Sequence, residues 1–383
     1  MNAASNYLLP PGFIALPAGT AMAPAIVPAA LAPLGELPSA PPRRVLIIKP
    51  SSLGDVVSAL PVLRGLRRSF PDCRVDWLIS TGCAPLLQGD GDLDQLVLFD
   101  RPLLGRWWRS RAGAKALVSL SQQIRRRGYD WVIDLQGLLR SGLFGWLSGA
   151  GVRAGFAHPR ERLTRAFYTH AIDVGAAHTI DRNIELARRL GIDARGEDFR
   201  LNVTPAARDR AIQLLRQGQL EQGRFLVLVP PTRWPSKLYP ARHWRALVGH
   251  LAGQYRMAIV GAPSERDICA AVAQGLESAA VNLAGRTGLA ELAALISLSA
   301  GVVCSDSAAM FIAPAVGVPA LALVGPTRVE LTGPYNLGGA VVSSAPCRGC
   351  LSRRCRHTAC MQLIDPSDVA VAARTLLERT SPP

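Results

Sequence analysis

The sequence predicts an α/β protein of two domains, each built on a parallel β-sheet. Short apolar runs alternate along the chain with longer segments whose apolar residues recur at helical spacing, which is typical of parallel sheets covered by helices. The chain has 383 residues, more than one hydrophobic core usually serves, so two domains are expected. Hydrophobic residues make up 49% and charged residues 19%, which indicates a globular rather than a disordered protein.

The first predicted domain spans residues 43–200. The run VLIIK at 45–49 has the length and composition of a buried strand, and a helix with apolar residues at helical spacing follows over 56–70. By the same criteria, strands are expected at 75–79, 96–99 and 129–134, and helices at 138–147 and 179–190.

The second predicted domain spans residues 201–383 and follows a linker near 195–206. It opens with the buried-strand run FLVLV at 225–229. Ligands of open α/β sheets bind beyond the carboxyl ends of the strands, so the loops after the strands are the candidates for a site. The remaining expected strands lie at 257–260, 281–283, 302–304 and 320–324, and the helices at 241–252, 265–275, 289–299, 307–316 and 365–379.

Residues 1–42 are rich in alanine and proline, which predicts a disordered tail. The apolar stretch at 13–34 contains four prolines, which remove helix hydrogen bonds and argue against a membrane span. No Lys or Arg precedes Arg43, so a secretory signal is not expected either. We therefore expect a cytoplasmic protein whose contact with the inner membrane, if any, is peripheral.

The chain carries a net charge of +15, which favours anionic partners such as phosphates or acidic lipids. The excess is concentrated at 101–127, where eight basic residues occur with Trp107 and Trp108 and no acidic residue. An Arg-rich surface that only confers solubility is the alternative interpretation. Nucleic acid is not expected as a partner, because the basic residues lie within an α/β enzyme pattern.

The first strand leads into the loop KPSSLGDV at 49–56. Small residues there, Ser52 and Gly54 among them, allow backbone N–H groups to face a ligand. Asp55 can act as a carboxylate in a site, or it can simply complement the dipole at the start of a helix. No GxGxxG or GxxxxGK[ST] pattern occurs at this turn, which argues against a dinucleotide fold and a P-loop.

The second domain offers a candidate phosphate site. Ser307, just after the strand at 302–304, suits the N-cap of a helix whose first amides attract a diphosphate, although an ordinary capped helix has the same pattern. After another strand, Glu265 can bind ribose hydroxyls or serve as an acid at a helix start. Hydroxyl and cationic groups at the same sheet edge are supplied by Thr232, Arg233 and Lys237.

Five segments in order resemble glycosyltransferase family 9, the ADP-heptose:lipopolysaccharide heptosyltransferases. The resemblance covers about residues 43–380, and RVDWLIS with the basic Trp-containing stretch is most similar to the heptosyltransferase I branch. The five segments are KPSSLGDVVSALPVLRGLRRSFP, YDWVIDLQGLLRSGL, PTRWPSKLYPARHW, GAPSERD, and VVCSDSAAM followed by ALALVGPT.

The resemblance implies a GT-B fold of two facing Rossmann-like domains, with the acceptor bound by residues 43–200 and the nucleotide sugar by residues 201–383. It implies inverting transfer without a catalytic metal or other cofactor, from a nucleotide-sugar donor such as ADP-heptose to a lipopolysaccharide inner-core acceptor. Asp55 matches the general base and Lys237 the lysine that neutralises the leaving diphosphate. Positions that match the donor site are Thr232, Glu265, Thr287, Asp306 and Ser307, beside which Arg233 is added for its charge.

On the acceptor side, Gln136 and Arg140 match the family's Gln-Gly-Leu-x-basic motif. The loop residues Ser52 and Gly54 are assigned to the same side. Positive charge alone adds Arg106, Arg109, Arg160 and Arg162 as candidate acceptor contacts.

The chain departs from the family at the donor motif Asp-Ser/Thr-Gly-x-x-His, where Ala308 replaces the glycine and Phe311 the histidine. Phenylalanine cannot donate a hydrogen bond to a phosphate, and the alanine Cβ can crowd the backbone against the donor. Two alternatives therefore stay open. The chain can be a weakened or inactive member acting as a binding or assembly protein, or a transferase of another nucleotide sugar.

Four of the eight cysteines form a cluster near the end of the chain, with His357 inside it. Four thiolates at this spacing suit a structural zinc or iron ion, and in a cytoplasmic protein a metal is favoured over disulfides; reduced free thiols are the alternative. The scattered Cys73, Cys83, Cys269 and Cys304 are expected to be buried free thiols. The clustered residues are Cys347, Cys350, Cys355 and Cys360.

Overall fold

The structure is a computed structural model that describes residues 12–15, 40–104 and 110–380. The chain divides into two compact units, the first ending at Asn202 and the second beginning at Val203, two residues beyond the predicted boundary. In the described ranges the strands are β1 (Phe13–Ala15), β2 (Arg44–Ile48), β3 (Arg74–Ser80), β4 (Gln95–Phe99), β5 (Trp131–Asp134), β6 (Val152–Phe156), β7 (His170–Ile172), β8 (Phe225–Val229), β9 (Arg256–Ile259), β10 (Ala280–Asn282), β11 (Gly301–Ser305), β12 (Ala320–Val324) and β13 (Gly338–Val342).

Helices alternate with these strands, as the apolar periodicity predicts. Among the described residues, no helix is both long enough and apolar enough to cross a membrane. The helices are α1 (Leu53–Val57), α2 (Leu60–Ser69), α3 (Arg101–Leu104), α4 (Arg111–Arg126), α5 (Leu139–Leu147), α6 (Thr179–Arg189), α7 (Pro205–Gly218), α8 (Ala241–Leu251), α9 (Arg266–Ala273), α10 (Leu289–Ser297), α11 (Ala309–Ala315), α12 (Val329–Thr332), α13 (Ala359–Gln362) and α14 (Pro366–Thr380).

The first unit is a six-stranded parallel sheet in the order β4-β3-β2-β5-β6-β7. The central strand β2 is completely buried from Val45 to Ile48, because helices cover both faces of the sheet. On one face, Leu46 and Ile48 pack with Phe144 of α5 and Ile124 of α4. The loops after β2 and β5 therefore emerge from a rigid core, and both lie at the same edge of the sheet.

The second unit has the order β1-β13-β12-β11-β8-β9-β10, in which β8 to β13 are parallel and β1 is antiparallel. Its core is built from Leu226 and Leu228 of β8, Trp244 of α8 and Leu377 of α14. The α/β class with parallel sheets is thus confirmed in both units.

The expectation of a disordered tail is wrong for Phe13–Ala15. This strand pairs with β13, Phe13 opposite Val341 and Ala15 opposite Gly339, and Phe13 packs against the core of the second unit. The physical reason is that β13 would otherwise be an edge with unpaired backbone groups, which a short apolar segment can satisfy. The rest of the predicted tail up to residue 39 lies outside the described residues.

The helix expected over 56–70 is divided into α1 and α2. Pro61 lies in the first turn of α2, where a missing backbone N–H is tolerated. Because it has no N–H, it cannot donate to the carbonyl of the preceding turn, and the helix is interrupted there. The break leaves α1 as a separate five-residue helix whose first turn carries Asp55.

Candidate active site

Asp55 and Lys49 form an ion pair at the carboxyl end of β2. Lys49 is buried, its Nζ donates to the carbonyl oxygen of Leu135 at 2.5 Å, and it lies 3.9 Å from Asp55 Oδ1. The other carboxylate oxygen, Oδ2, accepts from the backbone N–H and the hydroxyl of Ser52, each at 2.8 Å. Asp55 therefore does cap the start of α1, as the alternative interpretation expected, and it also presents a carboxylate beside a buried cation.

These neighbours determine the ionisation of Asp55. Burial alone would raise the pKa of Asp55, but the charge of Lys49, the two bonds from Ser52 and the charge of Arg160 outweigh it, and the pKa lies below its ordinary value. Burial lowers the pKa of Lys49, against the opposing effect of Asp55, and Arg160 and Arg182 lower it further. Asp55 is thus an anion over the physiological pH range.

The buried carboxylate of Asp134 organises the loop after β5. It accepts from the hydroxyls of Ser141 and Tyr168, both at 2.7 Å, and from the backbone N–H of Gln136 at 2.8 Å. Burial raises the pKa of Asp134 despite these bonds. The side chain of Gln136 is buried as well, and its Oε1 has no hydrogen-bond partner among the described residues, so this amide is poised for a ligand.

The predicted acceptor arginines differ in what surrounds them. Arg140 is exposed and its guanidinium carbon lies 5.6 Å from the centre of the Phe99 ring. Arg160 is exposed too, and its backbone packs against Gly137, whose positive φ of 67° brings the two loops together. Arg162 is exposed at the start of the 3₁₀ turn Arg162–Phe167. Arg106 and Arg109 lie outside the described residues.

Ser52 and Gly54, the two small residues assigned to the acceptor, both form contacts within their own loop and helix. Ser52 is engaged with Asp55, and Gly54 is buried within α1, where its carbonyl accepts from the N–H of Ser58 at 2.9 Å. Their assignment to the acceptor stays a prediction.

In the second unit, three of the polar loops meet at Asp306. Its Oδ2 lies 3.0 Å from Lys237 Nζ and accepts from the hydroxyl of Thr327, while its backbone carbonyl accepts from Thr232 Oγ1 at 3.1 Å. Because the loops follow β8, β11 and β12, the sheet edge predicted to hold the donor is where these groups meet.

The remaining donor candidates lie along the same edge. A Cβ on Gly261, after β9, would lie 2.7 Å from Cys269 Sγ, 3.0 Å from Pro231 Cγ and 3.4 Å from Glu265 Cβ, so the small glycine lets Glu265 lie beside the loop of Thr232. Glu265 Oε2 also accepts from the N–H of Ala262 at 2.7 Å, a cap at the start of a short turn. Arg233 is exposed, and Thr287 follows β10, two strands from β8.

The donor motif of the sequence has a different local structure from the one expected. Helix α11 begins at Ala309, its N-cap residue is Ala308, and no side chain caps it, so the prediction of Ser307 as N-cap is wrong. Phe311 is buried in α11, and Ala308 is half-buried.

The four scattered cysteines are buried, as expected. In the cluster, Cys347 and Cys350 are exposed, and within the described part of the chain no three His, Cys, Asp or Glu side chains are arranged to hold a metal ion. Cys355 Sγ lies 3.6 Å from His357 Nδ1. Burial, together with the nearby clustered thiols, raises the pKa of Cys360. The residues are thus near one another without forming a ligand set.

Comparison with known proteins shows the family to which the chain belongs. The family model of glycosyltransferase family 9 (heptosyltransferase) matches residues 117–360. The chain belongs to glycosyltransferase family 9. This glycosyltransferase is 30% identical over 325 residues to lipopolysaccharide heptosyltransferase 1 of Pseudomonas aeruginosa, across 82% of the chain and 88% of that relative.

Solved structures agree on the fold of this family 9 enzyme, which is of the GT-B type. A glycosyl transferase family 9 protein from Veillonella parvula matches with a TM-score of 0.73 and 21% identity, across 88% of this chain and 97% of that one. The heptosyltransferase WaaC of Escherichia coli, solved with ADP, matches with a TM-score of 0.70 and 23% identity, across 88% and 100%.

Sequence reasoning missed three residues of these two sites. Lys49 and Thr327 stand inside quoted segments, KPSS and GPT, but their partners are distant in sequence. Trp234 was not singled out, although Lys237 Nζ lies 4.3 Å from the centre of its ring. An aromatic residue three positions before a lysine is the one signal that could have indicated this contact.

Proposed function

We propose that this glycosyltransferase moves a heptose from ADP-heptose to a lipopolysaccharide inner-core acceptor with inversion at the anomeric carbon. The observation that carries the proposal is its 30% identity with a lipopolysaccharide heptosyltransferase 1 over most of both chains. The ionised Asp55 at one sheet edge and the cationic Lys237 at another supply the base and the leaving-group cation that such a transfer needs.

In the proposed reaction, the acceptor hydroxyl oxygen attacks the anomeric carbon and gives its proton to Asp55. We assign the proton to Oδ1, because Oδ2 already accepts two bonds from Ser52. The bond from the anomeric carbon to the diphosphate oxygen breaks at the same time, and ADP leaves with the electron pair. A single displacement from the opposite side inverts the configuration.

On the donor side, Lys237 neutralises the charge that grows on the diphosphate. Asp306, which accepts a hydrogen bond from Thr327, holds it at the edge of the sheet, and the cation–π contact with Trp234 limits where its ammonium group can go. The assigned donor contacts, all in the second unit, are Thr232, Arg233, Glu265, Thr287, Asp306, Ser307, Ala308 and Phe311.

On the acceptor side, the first unit offers groups suited to an acidic sugar. The unpartnered Oε1 of Gln136 can accept from a hydroxyl, and the exposed cations of Arg140, Arg160 and Arg162 can bind carboxylate or phosphate groups. Ser52 and Gly54 are assigned to the same side through the family motif alone.

The replacements at Ala308 and Phe311 favour a second candidate, a transferase for a different nucleotide sugar or a weakened enzyme. Melting temperatures measured with a panel of nucleotide sugars distinguish the two candidates, because a bound donor raises the melting temperature by mass action. ADP-heptose should give the largest shift and should be turned over. A larger shift with another sugar, or a shift without turnover, would favour the second candidate.

A membrane-bound acceptor brings the enzyme to the inner membrane from the cytoplasmic side, and we propose a peripheral contact there. The surface of α5 and the following 3₁₀ turn exposes Trp146 by 54% and Leu163 by 72%, next to the exposed Arg162 and Arg165. Aromatic and apolar side chains beside cations suit an anionic lipid surface. Sedimentation with vesicles of phosphatidylglycerol should therefore retain the protein, and vesicles of phosphatidylcholine should not.

For the cysteine cluster we propose a structural zinc or iron ion that takes no part in the transfer. The proposal is supported by the ligand spacing, and since Cys347 and Cys350 are exposed, binding requires these two to move inward. Elemental analysis of protein purified without added metal should find one ion per chain. A metal content near zero, with four titratable thiols in the cluster, would overturn the proposal.

A further inference from the structure

The cysteine-rich segment, residues 347–360, is attached to two loops of the donor edge. The N–H of Leu351 donates to the carbonyl of Pro326 at 2.7 Å, directly before Thr327. The buried hydroxyl of Ser236, directly before Lys237, donates to the carbonyl of Ser352 at 2.7 Å. The segment is therefore fixed to the two loops whose side chains meet at Asp306.

This attachment brings a second cation to the ring that carries Lys237. Arg353 Cζ lies 5.2 Å from the centre of the Trp234 ring, and Lys237 Nζ lies 4.3 Å from the same centre. Arg353 is exposed, so it is open to a ligand from solvent. The segment contains four arginines and no acidic residue, and its charge is thus complementary to a polyanion.

We propose that Arg353 is a further donor-binding residue, which contacts the terminal phosphate of a nucleoside diphosphate beside Lys237. The inference rests on the proposed function of Lys237. A guanidinium can bond two phosphate oxygens at once, and stacking on Trp234 orients it in advance, so less side-chain entropy is lost on binding. On this account the cysteine-rich segment serves the donor site by holding Arg353 in place.

The test compares R353A with R354A by calorimetry, using ADP and AMP as probes. Arg354 is the adjacent exposed arginine of the same segment, which makes it a matched control. R353A should weaken ADP binding about 10-fold, the effect of one charge-assisted hydrogen bond, and AMP binding much less. R354A should leave both affinities within about twofold. R353K should restore part of the loss, because it keeps the charge without the planar fork.

Two results would overturn the proposal. One is an R353A variant that binds ADP as tightly as R354A does. The other is an equal loss for ADP and AMP, which would mean that Arg353 supports the loop and does not contact the terminal phosphate. Failure of the donor assignment on which the inference rests looks different, because the wild-type protein would then bind neither ADP nor AMP. Failure of the transfer alone would appear in turnover and would leave these affinities unchanged.

Discussion

Each of the two units carries a lysine–aspartate pair after a buried strand, and the two pairs are built in opposite ways. In the first, Lys49 is held by a backbone carbonyl and its side chain is 6% exposed, while Asp55 is 28% exposed. In the second, Asp306 is held by Thr327 and is 6% exposed, while Lys237 is 12% exposed and rests on an aromatic ring. The more exposed member is the anion Asp55 in the first pair and the cation Lys237 in the second pair.

The comparison shows that the buried member of each ion pair determines which charged group is exposed to a ligand. A buried lysine beside Asp55 keeps the carboxylate ionised and ready to accept a proton. A buried aspartate beside Lys237 keeps an ammonium group in place until a diphosphate arrives to share it. The following predictions test whether the two pairs have these separate roles.

The largest effect is expected at the anion of the first pair. D55N should lower kcat by about 10²- to 10⁴-fold, because the amide cannot take the proton, and should leave ADP affinity nearly unchanged. Steady-state kinetics with calorimetry check both parts. D72N makes the same chemical change at an exposed carboxylate and should behave as wild type. A D55N enzyme with near wild-type kcat would remove Asp55 as the base.

The cation of the second pair should affect both binding and turnover. K237A is expected to lower kcat by about 10²- to 10³-fold and to raise the KM for the donor, because the diphosphate gains charge in the transition state. K115A, at an exposed lysine of α4, is the control. Unchanged kcat and KM in K237A would show that Lys237 is not at the donor.

A smaller gain is expected at Phe311, which replaces the family histidine near Asp306. F311H adds a possible hydrogen bond to the donor phosphate and should raise transfer from ADP-heptose about 10-fold, more so together with A308G. A melting curve checks that the buried position tolerates the imidazole. Flat turnover with ADP-heptose and weaker binding of another sugar would indicate a pocket adapted to that sugar. No change with any donor would place Phe311 outside the site.

The smallest effect concerns the cation of the first pair and appears in the pH profile. Burial raises the pKa of Asp55 and Lys49 lowers it, with a net decrease, so K49M should raise this pKa. The acidic limb of kcat/KM then moves to higher pH, while the rate on the alkaline side changes little. K49R retains the charge and should keep the wild-type profile. An unshifted limb in K49M would separate Lys49 from the ionisation of Asp55.

Most strands of the parallel sheets could be predicted because local apolar runs such as VLIIK and FLVLV determine them. The positions of Asp55, Lys237 and Asp306 after strands could be predicted for the same reason. The strands β6 (VRAGF), β7 (HAI) and β13 (GGAVV) were not expected, because these runs are short or contain glycine and polar residues. The contacts of the two pairs could not be predicted. Lys49 reaches the carbonyl of Leu135 because β2 pairs with β5, and Thr327 reaches Asp306 because β11 pairs with β12.

Other differences from the expected elements have separate causes. Pro61 divides a helix whose apolar periodicity continues across the break. The strand Phe13–Ala15 lies in an Ala/Pro-rich context and is stabilised by an edge more than 300 residues away, which no local pattern reveals. The basic stretch at 101–127 has no acidic residue and stands out by its charge, but most of it forms the helix α4 (Arg111–Arg126), which Ser110 caps.

Transfer of heptose with inversion can be tested by a single product analysis. The wild-type enzyme is incubated with ADP-heptose and lipopolysaccharide that lacks inner-core heptose, and the product is examined by mass spectrometry and NMR. The account predicts an acceptor that gains one heptose, with the anomeric configuration opposite to that of the donor, and one ADP released per transfer. Retained configuration, or bound ADP-heptose that is never transferred, would contradict it.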